Sequence, residues 1–94
     1  MYLFVGTRGA ETRVKIILSL SRKPSNTNQL ANELGVDYKA MQYQLGVLQK
    51  NKLIETPVKE SYGALYFLTP LMEKNLDYVK EIWSKYGESK INEN

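Results

Sequence analysis

The sequence predicts a mainly helical single domain carrying one β-hairpin, and three observations predict it. Residues 26–51 hold two helical patterns separated by a glycine turn, which reads as a helix-turn-helix. Residues 53–69 hold two β-type runs around a polar segment, and residues 70–86 hold one long amphipathic pattern opened by Pro70. Ninety-four residues suffice for one domain. A chain this small buries only about 60–65% of the surface its unfolded form exposes, so its core is modest. With no Cys and no His, disulfides and thiolate- or imidazole-bound metal are excluded. Oligomerisation then remains as the source of extra support.

Residues 1–6 open with the apolar run Tyr2-Leu3-Phe4-Val5, a segment of β type. It suits either a strand edge or packing across a dimer. It is too short for a signal-peptide core or a membrane span, so a cytoplasmic protein is expected.

The first helix is expected over 9–21. Ala10, Val14, Ile17 and Leu18 form its apolar face and Leu20 extends it, while Arg8, Arg13 and Lys15 fall off that face. Pro24 disfavours helix at the residue before it and ends the element. The next helix starts with Asn26 as N-cap and Gln29 three residues on, an approximate capping box. Leu30, Ala31 and Leu34 are its apolar positions, and Gly35 stands where a left-handed C-cap belongs. Val36 fills the turn. Asp37 N-caps a third helix, from about Tyr38 to Asn51, whose apolar side is Met41, Leu45 and Leu48.

In the hairpin, Leu53–Thr56 and Leu65–Thr69 are the strands. Leu65, Phe67 and Thr69 share one face, and Ala64, Tyr66 and Leu68 the other. Both faces carry apolar groups, so this strand is expected to be more covered than a bare hairpin would be. Thr69 N-caps the last helix, Pro70 takes its first turn, and Gly87 stops it. Met72, Leu76, Val79, Trp83 and Tyr86 follow a heptad-like seam. Leu71, Tyr78 and Ile82 make a second stripe. One stripe can cover the domain's own core, and the other lacks a partner in so small a chain. The seam is assigned to a dimer interface. A small-molecule pocket lined by Trp83, Tyr78 and Tyr86 is the less favoured alternative. Residues 88–94 read as a frayed tail.

Helix, helix-turn-helix, hairpin, helix is the winged helix-turn-helix order. Over about residues 7–86 the sequence resembles the ArsR-like winged-helix regulators, particularly the archaeal members. The resemblance is carried by residues 26–36 as the positioning helix, residues 37–48 as the recognition helix, Lys52-Leu53-Ile54 leading into the wing, and residues 62–70 returning from it. It implies a homodimer built largely from terminal helices, repressing transcription at a pseudo-palindromic operator in double-stranded DNA. Two departures stand out. The thiolate sensing mode is absent because the ligands are absent, and no cofactor is expected. Where many members have Gly before the wing, this chain has Lys52, so Asn51 or Lys52 makes that turn, and Asn tolerates it better.

Charge agrees with a polyanion partner. Net charge is +3, and residues 1–69 hold nine Lys or Arg against five acids, whereas residues 70–94 hold four against five. The residues expected to meet DNA are those near the start of the third helix. Gln42 can bond bidentately to adenine, and Lys39 can reach guanine or phosphate. Tyr38 and Tyr43 either contact thymine and phosphate or pack on the wing and the positioning helix. Gln44 lies nearer the flank and either joins this surface or bonds to the positioning helix. Thr27, Asn28 and Gln29 either touch phosphate or serve as plain capping. Lys59, Ser61 and Tyr62 can follow the backbone or minor groove from the wing tip, with Glu60 working against them.

A second class of function stays open, a winged-helix module for protein contacts in a transcription or replication assembly, which Glu55 and Glu60 would suit. An enzyme is not expected: there is no His, no Cys, no Gly-rich phosphate loop and no carboxylate pair set in a pocket.

Overall fold

Three short-range caps set the centre of the molecule. Asn26 and Gln29 close a full capping box, each side chain accepting the other's backbone N–H at 2.8 Å. Gly35 takes φ 67 and ends the helix it follows, and Val36 N–H then donates to the Ala31 carbonyl at 3.0 Å. Asp37 Oδ1 accepts from the N–H groups of Lys39 and Ala40 at 2.9 and 3.2 Å, so the next helix starts at once. The computed structural model describes residues 3–57 and 63–92. Its elements are α1 (Ala10–Arg22), α2 (Thr27–Leu34), α3 (Tyr38–Lys50), β1 (Ile54–Glu55), β2 (Phe67–Leu68), α4 (Pro70–Lys74) and α5 (Leu76–Asn92).

One hydrophobic core joins these elements. Met41, Leu45 and Leu48 of α3 enter it together with Val14, Ile16 and Ile17 of α1 and Leu30 of α2, all at 1% exposure or less. The apolar spacing had assigned the α3 side correctly. On α1 the core side is wider than expected, since Ile16 is fully buried and Leu18 only half-buried.

The strands pair antiparallel, Ile54 with Leu68 and Glu55 with Phe67, and each is two residues long. They are shorter than the runs Leu53–Thr56 and Leu65–Thr69 suggested. A further bridge compensates: Tyr66 N–H donates to the Ser25 carbonyl at 2.9 Å, tying the wing to the chain between α1 and α2. Only one face of the second strand is covered. Leu68 is buried, whereas Leu65 and Phe67 remain exposed, so the cover expected for this strand falls on one face.

Entry into the wing is made by Lys52, not Asn51. Lys52 has φ 61, in the left-handed region. Asn51 stays near the helix because its side-chain amide donates to the Val47 carbonyl at 2.8 Å. Thr69 locks the wing base: its hydroxyl donates to the Lys52 carbonyl at 2.8 Å and accepts from Met72 N–H. The hydroxyl thus caps α4 and pins the left-handed turn together.

The last helix is two helices. Asn75 breaks it with φ −108 and ψ 15, its amide donating back to the Leu71 carbonyl at 2.8 Å. An Asn side chain that satisfies a carbonyl of the preceding turn competes with helix continuation. Gly87 does not stop α5, which runs on to Asn92. Glycine inside a helix costs about 1 kcal/mol, too little on its own to end one.

The N-terminal run is not a strand. Leu3–Val5 form turns and bends, and Phe4 inserts into the core at 1% exposure. Tyr86 Oη donates to the Phe4 carbonyl at 3.0 Å, fastening this segment to α5. Arg13 fastens it to α1, and Arg13 is buried at 5% exposure, contrary to its placement off the apolar face. Its guanidinium donates to the Leu3 carbonyl (2.7 Å), Gln44 Oε1 (2.8 Å), Thr7 Oγ1 (2.9 Å) and the Arg8 carbonyl (3.2 Å). Arg supplies several donors in one plane, and four neutral acceptors replace the water lost on burial.

Gly9 makes this arrangement possible. It starts α1 at φ 83, and a Cβ there would lie 2.5 Å from Gln44 Nε2 and 3.0 Å from Arg13 Nη1. Ser19, buried at 3% exposure, hydrogen-bonds to the Glu33 carboxylate, which also pairs with Arg22 at 3.6 Å. These contacts fix α2 against α1, and so position the helix that holds α3.

Candidate nucleic-acid interface

With Met41, Leu45 and Leu48 buried, the opposite side of α3 faces outward. Tyr38 and Tyr43 are 38% and 67% exposed there. Lys39, Gln42, Gln49 and Lys50 are exposed on the same helix. Neither tyrosine is sealed beneath the wing or α2, which was the alternative for both. The Asp37 carboxylate at this end of α3 is held by the two backbone N–H groups it caps.

Beside this surface runs a groove of about 500 Å³, between the start of α2, the outer side of α3 and the wing base. Thr27, Gln42, Gly46, Gln49, Lys50 and Tyr66 line it, with Thr56 at the wing side. Gln42 and Thr27, from different helices, are thus brought together. Among the described residues, the lining offers one ammonium, two amides and three hydroxyls, and no carboxylate. Such a set donates hydrogen bonds readily and repels no anion. Tyr38, Lys39 and Tyr43 stand on the exposed side of α3 outside this groove.

The expected contact residues divide. Asn28 is exposed at the start of α2, while Gln29 has its amide oxygen engaged in the capping box. Gln44 is half-buried and bonded to Arg13, not to the α2 backbone, so its side chain serves the junction of α1 and α3. Lys59, Ser61 and Tyr62 lie outside the described residues.

The expected dimer seam needs correcting. Met72 and Val79 are 2% and 0% exposed and belong to the domain's own core. Leu76, Trp83 and Tyr86 are half-buried against that core, with Lys15 Nζ 5.9 Å from the Trp83 ring. The stripe that remains outside is Leu71 and Tyr78, joined by Val5 of the N-terminal segment, at 54%, 43% and 41% exposure. Ile82, assigned to the second stripe, is buried at 7%. Heptad spacing identified both stripes, but not which of them joins the domain's own core.

Residues missed by the sequence reading are Gly46, Lys50, Thr56 and Tyr66. The first two were legible, since positions 42, 46, 49 and 50 share a helical face. Tyr66 was not, because its place depends on the bridge to Ser25.

Residues 10–56, half of the chain, match the family described as bacterial regulatory protein, arsR family. No curated protein matches the sequence. Among solved structures, the transcriptional regulator BldR from Sulfolobus solfataricus superimposes with a TM-score of 0.73 at 17% identity, over 90% of this chain and 63% of that one. MarR from Staphylococcus aureus, in complex with salicylate and kanamycin, gives 0.69 at 14% identity, over 88% of this chain and 57% of that one. Wild-type ZitR from Lactococcus lactis in complex with DNA gives 0.61 at 21% identity, over 90% and 66%. The chain therefore spans less than two thirds of each of these proteins. The shared fold is that of winged-helix transcription regulators. Among the described residues, no helix is long and apolar enough to cross a membrane.

Proposed function

The chain belongs to the arsR family of bacterial regulatory proteins, and from that premise we propose that it binds double-stranded DNA as a homodimer and represses transcription. The observation that carries this reading is the outer side of α3, where Lys39, Gln42 and the two exposed tyrosines stand beside a groove whose described lining has no carboxylate. The start of α3 enters the major groove, with Gln42 on an adenine edge and Lys39 on guanine or phosphate. Thr27 and Asn28 at the start of α2 hold a phosphate. The wing follows the backbone or enters the minor groove. ZitR, whose structure is in complex with DNA, supports the reading by its likeness in fold.

The homodimer is argued from Leu71, Tyr78 and Val5, large apolar groups exposed side by side at the base of the last helices. A second copy on this face would shelter them. Two copies related by a two-fold axis then read two half-sites about 34 Å apart, or a multiple of that.

The test is selection of bound sequences from random duplex, on protein whose mass has been measured by light scattering. A two-fold symmetric consensus, a mass of two chains and affinity falling steeply with salt are expected. Equal retention of all duplexes would remove the sequence-specific reading. A tight complex with another protein, and no duplex binding at low salt, would replace it with a protein-contact module.

A further inference from the structure

Gly46 sits inside α3, and nothing within the described chain asks for a glycine there. Its φ is not in the left-handed region, and a Cβ built on it meets nothing within 4 Å. The contrast with Gly9 and Gly35 is plain, since both have positive φ and Gly9 also lacks room. Glycine in a helix interior weakens the helix relative to alanine, because it loses more backbone freedom on folding. On internal grounds alanine would be the better residue. Among the described residues, then, nothing supplies the reason for glycine.

What lies outside is constrained by the neighbours. Gly46 follows Gln42 by four residues and precedes Gln49 by three, so the three share one face. They form one wall of the groove, with Lys50 beside them and Thr27, Thr56 and Tyr66 opposite. A bare stretch of helix backbone, flanked by amides and an ammonium and free of carboxylates among the described residues, matches a polyanion that approaches closely.

We infer that Gly46 is a docking notch: one sugar-phosphate strand of the bound duplex lies against α3 at Gly46, between Gln42 and Gln49, with Lys50 alongside. The inference rests on the DNA-binding reading and adds to it. Gly46 is then a positioning residue. It sets how deeply α3 seats, and so whether Gln42 reaches a base edge.

The test compares wild type, Gly46→Ala and Gly46→Gln on the duplex recovered by selection, with binding followed by fluorescence anisotropy and folding by thermal melts. Both replacements are good helix formers, so the melting temperature of Gly46→Ala should rise by about 4–8 °C. Its affinity should nevertheless fall, by roughly tenfold, and that of Gly46→Gln further. Opposite signs in stability and binding are what a purely structural glycine would not produce. Unchanged or tighter binding by both variants overturns the notch while leaving the DNA reading intact. A lower melting temperature for Gly46→Ala also overturns it, because it would reveal an internal reason for glycine. A wild-type chain that retains no duplex at low salt overturns the DNA reading and the notch together.

Discussion

The two sides of α3 differ in what holds them. The inner side carries Met41, Leu45 and Leu48 at 1% exposure or less, and at its edge Gln44 is bonded to the buried Arg13. The outer side carries Lys39, Gln42, Tyr43, Gly46 and Gln49, all exposed. Burial makes the inner residues responsible for where the helix sits. Exposure leaves the outer residues without a part in core packing, so their chemistry is available to a partner. A helix used this way should show a clean split between substitutions that unfold it and substitutions that blunt it.

Four substitutions sharpen or break that split, in decreasing order of effect. Leu45→Ala removes a fully buried side chain and should lower unfolding free energy by about 2–5 kcal/mol in urea titration, duplex binding falling only with the folded fraction. A change under about 1 kcal/mol would mean that α3 is not packed as described. Gln44→Ala deprives Arg13 of an acceptor and should cost ~1–3 kcal/mol of stability, with affinity per folded molecule unchanged. If instead stability holds and affinity drops, Gln44 belongs to the outer surface after all. Gln42→Ala should leave stability within about 0.5 kcal/mol while losing about 1–3 kcal/mol of discrimination at one base pair, measured against a set of single-site operator variants. Lys52→Gly relieves a side chain held in the left-handed region and should raise stability by up to ~1 kcal/mol in thermal melts, with no change in affinity. A loss there would show that the Lys52 side chain stabilises the wing entry.

Where interactions are local, the sequence was readable. The pairing of Asn26 with Gln29, the cap at Asp37 and the glycine at Gly35 each act across at most five residues, and each formed as expected. The apolar side of α3 followed from spacing for the same reason. Arg13 shows the opposite case. A cation at a helix flank ordinarily faces water, and its burial depends on Leu3, Thr7, Arg8 and Gln44, the last 31 residues away. Phe4 lies in an apolar run that suits either a strand edge or packing across a dimer. It fills the core instead, with its carbonyl held by Tyr86, 82 residues on. The candidate interface divides in the same way. Gln42 and its exposure came from periodicity, while the groove that joins it to Thr27 and Tyr66 required the wing to be set in place.

By itself the sequence determined the helix-turn-helix, the order of elements that makes it winged, and the absence of any thiolate or imidazole ligand. Those follow from caps, periodicity and residue inventory, which are properties of neighbouring residues or of composition. Tertiary structure alone decided which stripe of the last helices faces inward, that Lys52 and not Asn51 turns into the wing, and that Gln44 braces Arg13. In each of those cases residues from distant parts of the chain take part. The core receives Met72 and Val79, Thr69 pins the Lys52 carbonyl from 17 residues on, and Arg13 meets Gln44 from 31 residues back.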